Sequence, residues 1–234
     1  MGKVKLATPV LKWVGGKRQL LPEINKRIPK GFKTYYEPFL GGGAVLFELQ
    51  PKKAIVNDLN SELINVYETI KTYPNELVEE LKKFSNDEET YYSVRNVDRN
   101  KDKFKEMTAI EKAARVIYLN KTCFNGLYRV NSAGEFNSPF GRYRNPNIVN
   151  EKTIYAVSKY FNEAEITFKN GDFEECIKGI QKGSFVYLDP PYDPVSKTSN
   201  FTGYNQGGFG DKEQIRIKEM CDELTSKRSK IFII

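Results

Sequence analysis

The chain has 234 residues, 39% hydrophobic and 13% aromatic, enough for one sizeable core or a core domain with an insert. No window approaches the ~20 apolar residues of a membrane span, and the lysine-bearing start lacks the apolar stretch of a signal peptide, so a cytoplasmic protein without membrane partners is expected. A formal charge of +7 and a pI near 9.1 predict a polyanionic partner, although scattered surface lysine would give the same total.

Histidine is absent, which removes the commonest general base, the Ser-His hydrolytic arrangement and most zinc sites. Cys123, Cys176 and Cys221 stand apart and suggest neither a disulfide framework nor a zinc knuckle. Residues 1 to 33 hold nine Lys or Arg against Glu23 alone, and residues 121 to 150 hold Lys121, Arg129, Arg142 and Arg144 against Glu135. These two local basic tracts favour a nucleic acid as the partner.

In chain order, a strand at Thr34-Tyr35-Tyr36 leads into Glu37-Pro38-Phe39-Leu40-Gly41-Gly42-Gly43 and a helix from Ala44 to Leu49. The strand Ala54-Ile55-Val56, then Asn57-Asp58 and a helix from Ser61 to Lys71, completes a βαβα unit, hence a parallel sheet. Residues 74 to 121 read as polar helices whose apolar faces come from Tyr91-Tyr92 and the stretch Ala113 to Leu119. A Gly/Asn/Pro-rich segment, Phe124 to Pro146, interrupts the alternation before a helix near 151 to 161. Alternation then resumes with a strand at Glu165 to Phe168, a helix at Phe173 to Ile180 and a strand at Ser184 to Leu188. A helix at Asp211 to Lys227 and a strand at Lys230 to Ile234 follow. The expected fold is α/β, a doubly wound Rossmann-like sheet formed by residues 1–71 and 164–234, carrying a mostly helical insert at 72–163.

Gly41 and Gly43 lie between a strand and a helix, where glycine lets a ligand approach the backbone and the helix N-terminus favours electron-rich groups. No Gly-Lys-Ser/Thr follows, so this is not a phosphate-binding Walker loop, and a third dinucleotide glycine is missing. Asp58 ends the next strand, where a carboxylate can accept from both ribose hydroxyls; the alternative is a cap on the helix after it. Asp172 and Phe173 after the strand at 165 are an acceptor and a ring contact for an adenine, or equally a helix cap and a core residue.

Asp189-Pro190-Pro191-Tyr192 follows the apolar run Ser184 to Leu188. An exocyclic amine conjugated to a purine is a poor nucleophile because its lone pair is delocalised. If the Asp189 carboxylate and the Pro190 carbonyl each accept one N–H, the nitrogen is drawn toward tetrahedral geometry and its lone pair faces an electrophile. Proline stiffens the loop, Tyr192 can stack on the base, and the site acts by positioning and fixed electrostatics.

Leu11 to Leu21 (Leu-Lys-Trp-Val-Gly-Gly-Lys-Arg-Gln-Leu-Leu), Glu37 to Gly43, Asn57-Asp58-Leu59-Asn60 and Asp189 to Tyr192, in this order, resemble the alpha-group (D12 class) DNA adenine methyltransferases. The match spans essentially the whole chain. The resemblance implies S-adenosylmethionine as methyl donor, direct in-line transfer without metal, and Asp189, Pro190, Pro191 and Tyr192 as the catalytic set. It places Trp13, Lys17, Asp58 and Asp189 on the cofactor, with Gly41 and Gly43 lining its methionine end; Glu37, Pro38, Asp172 and Phe173 complete the expected cofactor site.

The insert resembles the family's target-recognition region, and its hairpin signature near 120–143 is similar to members that read GATC in double-stranded DNA. Physically, Arg129 can pair with guanine O6 and N7, Leu127 and Pro139 can touch a thymine methyl, and Lys12 can reach the first guanine. Phe124 or Asn125 can fill the hole left by a flipped adenine, flipping being required because N6 is paired in duplex DNA. Asn125-Gly126 is also an ordinary turn signal, and Arg142 and Arg144 can contact phosphate only. The family continues with further strands beyond the position of Ile234, so a sheet short of its C-terminal strands, with an exposed apolar edge and impaired stability or activity, is expected, and a monomer. Two rival readings stand beside this one: methylation of another planar nitrogen, in RNA or on a protein glutamine, and a non-catalytic DNA-binding module whose binding is salt-sensitive.

Overall fold

The computed structural model describes residues 2–191, 209–227 and 229–234. A short 3-10 turn at Arg18–Leu20 runs into helix α1 (Leu21–Arg27), which the sequence reading left unassigned. Then come β1 (Tyr35–Glu37), α2 (Ala44–Leu49), β2 (Lys53–Asp58) and α3 (Ser61–Thr72). Four helices follow: α4 (Pro74–Lys82), α5 (Glu88–Asn96), α6 (Lys101–Glu106) and α7 (Ala109–Thr122). The chain closes with α8 (Glu151–Glu163), β3 (Glu165–Asn170), α9 (Phe173–Ile177), β4 (Phe185–Leu188), α10 (Asp211–Ser226) and β5 (Lys230–Ile233). Helix α9 stops at Ile177, three residues short of the expected end; Gly179 at φ +76 turns the chain away there.

Local chemistry accounts for many of these boundaries. Asn60 caps α3 by accepting the Leu63 N–H at 3.0 Å, and Asp87 caps α5 by accepting that of Thr90 at 2.8 Å. Thr108 and Glu111 form a reciprocal capping box at the start of α7, and Pro74 occupies the first turn of α4, where a missing N–H is tolerated.

Among the described residues the five strands form one parallel sheet in the order β3-β2-β1-β4-β5. This is a Rossmann-like, doubly wound sheet. Strands β1 and β4 are buried along their whole length, whereas the outer strands β3 and β5 carry exposed and partly covered residues, with Ile166 of β3 buried. The central strands read as continuous apolar runs because helices cover both faces. Successive residues point to opposite layers: Tyr35, Ala54, Val56, Ile166, Phe185 and Tyr187 join the core under α2, α3, α4, α7 and α8. Tyr36, Val186 and Leu188 face the other layer, with Phe173 and Cys176 of α9 and Ile217, Met220 and Leu224 of α10. Edge strand β5 carries Ile233 at 48% exposure.

The segment between α3 and β3 extends the first of these cores: Leu77, Val78, Leu81, Tyr91 and residues Ala113 to Leu119 are continuous with the sheet residues. Within it, residues 123–140 double back on themselves. Antiparallel bridges join Cys123 with Phe140 and Val130 with Phe136, and Asn131 closes the tip by accepting the Ala133 and Glu135 N–H groups at 3.0 and 2.9 Å.

Candidate active site

In a parallel sheet of this order, ligands bind beyond the carboxyl ends of the strands, at the point where the chain path reverses. Here that point lies between β1 and β4. The residues following β1 are Pro38 to Gly43 and those following β4 are Asp189 to Pro191, so the glycine loop and the Asp-Pro-Pro turn stand side by side because their strands pair.

Asp189 Oδ1 is 2.7 Å from Lys17 Nζ, and the two side chains are only 18% and 8% exposed. Lys17 Nζ also donates to Gly15 O at 2.7 Å, which fixes the ammonium by two acceptors. Burial raises the Asp189 pKa, and the Lys17 hydrogen bond and charge oppose that rise. Glu37 lies beneath, at the end of β1 and almost fully buried. Its carboxyl accepts the Tyr35 hydroxyl at 2.9 Å. Burial pushes its pKa far above the usual range; the Tyr35 bond opposes this, while Asp189 and Asp58 add to it. Three acids thus lie close enough to feel one another's charge, and Lys17 pairs with one of them.

Asp58 is held in a dense set of bonds. Its Oδ2 accepts the Gly41 N–H at 2.8 Å and its Oδ1 accepts the Asn60 N–H at 2.9 Å. Burial raises its pKa, against the lowering effect of the Asn60, Gly41 and Leu59 N–H groups. Asp58 therefore shapes the glycine loop, while the cap on α3 is Asn60. Gly41 has φ +49, and a Cβ there would stand 3.1 Å from Trp13 Cδ1; a Cβ on Gly42 would stand 3.1 Å from Trp13 Cβ. Gly43 is at φ +67, beside Phe47 and the Tyr67 hydroxyl. Tyr67 donates to Gly41 O at 3.2 Å, and Asn57 Nδ2 donates to both Pro38 O and Gly171 O at 3.1 and 3.0 Å.

These are the places of the residues singled out from sequence. Trp13, Lys17, Glu37, Gly41, Asp58 and Asp189 gather at the strand ends, with Pro38 and Gly43 in the same loop. Asp172 caps α9 by accepting the Glu174 N–H at 3.0 Å and pairs with Arg216 at 2.7 Å. Burial raises its pKa, but the Arg216 and Glu174 bonds outweigh that and leave it lowered. Phe173 is 5% exposed, packs 5.3 Å from Phe39 and carries the Arg216 guanidinium 4.6 Å from its ring centre. Of the two readings open for this pair, cap and core contact are the roles seen. Tyr192 lies outside the described residues.

On the doubled-back segment and just after it, Phe124, Asn125, Arg129, Pro139, Arg142 and Arg144 are exposed and Leu127 is half-buried. Asn125 takes φ +57, and its N–H donates to the Tyr143 hydroxyl at 2.9 Å. Arg129 Nε donates to Asn137 Oδ1 at 2.6 Å, and Arg142 pairs with Glu88 at 3.2 Å. Lys12 is brought to the same place: Asn120 bridges the Lys12 backbone on both sides, at 2.9 and 2.8 Å, and also donates to Gly126 O at 3.1 Å. The Lys12 side chain runs so close to Gly126 that a Cβ there would stand 2.9 Å from Lys12 Cδ.

Sequence reading missed a buried network behind this segment. Arg115, 1% exposed, donates to Asp98 Oδ2 at 2.7 Å and to the Val94 and Arg95 carbonyls. Asp98 Oδ2 also accepts the Phe136 N–H at 2.8 Å. An arginine inside the apolar run Ala113 to Leu119 was the available signal, since a charge placed on a buried face needs a partner. Among the described residues no group of three or more His, Cys, Asp or Glu is placed to hold a metal ion, and no helix is long and apolar enough to cross a membrane.

Comparison of the sequence with known proteins shows the family. The family model of D12 class N6 adenine-specific DNA methyltransferases matches residues 13–234. The type II methyltransferase M1.LlaDCHI of Lactococcus lactis subsp. cremoris is 47% identical over 221 residues, 94% of this chain and 78% of the relative. The type II methyltransferase M.MjaIII of Methanocaldococcus jannaschii is 42% identical over 243 residues, 96% of this chain and 83% of the relative. The DNA adenine methylase of Escherichia coli K12 is 33% identical over 228 residues, 95% of this chain and 78% of the relative. The chain therefore belongs to the D12 class of N6 adenine-specific DNA methyltransferases.

Proposed function

We propose that the protein transfers a methyl group from S-adenosylmethionine to adenine N6 within GATC in double-stranded DNA, after flipping the adenine out of the helix. The observation that carries this reading is the contact of Asp189 with Lys17, across the sheet's reversal point from the Gly41–Asp58 loop. The residues present fit the cofactor. A Cβ at Gly41 would fill the space against Trp13, and the carboxylates of Asp58 and Asp189 suit a ligand that carries positive charge.

Trp13, Lys17, Glu37, Pro38, Gly41, Gly43 and Asp58 would hold the cofactor, with Asp172 and Phe173 at its rim. When bound, S-adenosylmethionine supplies a methyl group activated by its sulfonium. Asp189 and the Pro190 carbonyl accept the two N6–H bonds and expose the nitrogen lone pair. Lys17 keeps the Asp189 carboxylate charged and aimed. Tyr192 stacks on the base. Residues 1–71 and 164–234 serve as the catalytic domain and 72–163 as the target-recognition insert. In that insert Arg129 reads guanine, Leu127 and Pro139 meet thymine, Lys12 meets the first guanine, Phe124 or Asn125 fills the vacated stack, and Arg142 and Arg144 hold phosphate.

The test is incubation with tritiated S-adenosylmethionine and two matched duplexes, one containing GATC and one GTTC, and in parallel with RNA and with protein, counting label in adenine and in each polymer. Label in the first alone is expected. Equal label in both would discard the target sequence, and label found only in RNA or protein would discard the substrate class.

A further inference from the structure

Tyr128 sits at the junction of two parts of the molecule that have separate tasks in the proposed reaction. It belongs to the first arm of the doubled-back segment, between Leu127 and Arg129, yet it is only 5% exposed. Its ring stacks on Trp13, with centroids 4.9 Å apart and planes inclined at 28°. Trp13 in turn lies against the backbone of Gly41 and Gly42, closely enough that a Cβ on either would stand 3.1 Å from it. Going the other way, the Tyr128 ring meets Phe136 of the second arm edge-on at 5.5 Å.

Both arms are also tied to one buried polar network. The Tyr128 hydroxyl donates to Glu62 Oε2 at 2.8 Å, and Glu62 Oε1 is 3.7 Å from Arg115 Nη1. Arg115 Nη2 holds Asp98 at 2.7 Å, and Asp98 accepts the Phe136 N–H at 2.8 Å. A displacement of either arm therefore reaches the Tyr128 ring, and that ring stacks on Trp13, the residue lining the glycine loop. Aromatic stacks of this kind contribute beyond their buried area and resist sliding because both rings are packed.

We propose that Tyr128 is a positioning residue that fastens Trp13 to the hairpin, so that duplex DNA seated on the hairpin changes the affinity of the Trp13–Gly41 site for the cofactor. The inference rests on the reading of those two sites given above. The linkage is reciprocal, so the cofactor changes duplex affinity by the same factor.

Trp13 is the single tryptophan of the chain, so its emission reports on this site. S-adenosylhomocysteine is titrated against the full chain with and without a GATC duplex, for the wild type, Tyr128→Phe and Tyr128→Leu. In the wild type the duplex should shift the dissociation constant by roughly fivefold or more, the lower end of usual coupling factors. Tyr128→Phe keeps the stack and should retain the shift. Tyr128→Leu should bring the ratio with and without DNA to within about twofold, the residual that pairwise additivity tolerates, whatever it does to either affinity alone. A purely structural role would weaken both affinities and leave their ratio intact; that result, or an unshifted wild type, overturns the proposal. The duplex alone should also change Trp13 emission in the wild type, and an unchanged spectrum overturns the proposal even if Tyr128→Leu does not fold. Should S-adenosylhomocysteine fail to bind the wild type at all, the cofactor-site reading falls, and this inference with it.

Discussion

The ion pair between Lys17 and Asp189 allows a quantitative prediction. At 2.7 Å and an effective dielectric of about 20, the gross attraction is roughly 6 kcal/mol. Withdrawing both charges from water opposes most of that, and breaking such a pair on one side costs about 3–5 kcal/mol. Because Asp189 retains 18% exposure, a coupling of about 3 kcal/mol is expected in a cycle of Lys17→Met, Asp189→Asn and the double variant, read by urea unfolding. The bond from Lys17 to Gly15 O is lost in both lysine variants and so cancels. A second readout separates charge from packing. Burial raises the Asp189 pKa and Lys17 lowers it, so in Lys17→Met the pKa rises further, and the acidic limb of the kcat profile, where Asp189 becomes protonated, moves to higher pH. A coupling below about 0.5 kcal/mol, or an unmoved acidic limb, would refute the reasoning.

Asp189→Ala should abolish methyl transfer while leaving S-adenosylhomocysteine binding measurable by Trp13 fluorescence; Asp58→Ala should chiefly weaken that binding, because it releases the Gly41 N–H, and normal turnover by Asp189→Ala would overturn the assignment. Glu37→Gln mimics the neutral acid that burial favours. With its native pKa raised, the stabilising contribution of Glu37 is full below the ordinary glutamate value and is lost as pH rises through the raised one, so thermal melts should show the variant gaining on the wild type with increasing pH. Gly43→Ala places a Cβ 3.0 Å from the buried Phe47 ring at φ +67 and should lower stability by about 1–3 kcal/mol; a melt unchanged from wild type would contradict the packing.

Much of the fold was legible because its signals are local. The strand, glycine loop and helix around residues 34 to 49, the apolar run before Asp189 and the returning alternation after residue 164 each depend on neighbouring residues, so period and punctuation reveal them. Element ends were less legible: α9 stops at Ile177 because Gly179 turns the chain there, and α1 was passed over because it is short and mostly exposed. For Asp172 and Phe173 the sequence left two roles open, and it was Arg216, from a distant helix, that engaged both.

By itself, then, the sequence determined that the sheet is parallel, that an acid and prolines end one strand, and that glycines and an acid end others, because hydrophobic period and turn chemistry act over a few residues. Tertiary structure alone decided that β1 and β4 are neighbours, which brings the glycine loop to the Asp-Pro-Pro turn. It also gave Asp189 its lysine, buried Arg115 against Asp98 and laid Tyr128 on Trp13. These partners lie far apart along the chain, and no local preference joins them; they meet because packing both faces of one sheet leaves each buried charge and ring a single place to go.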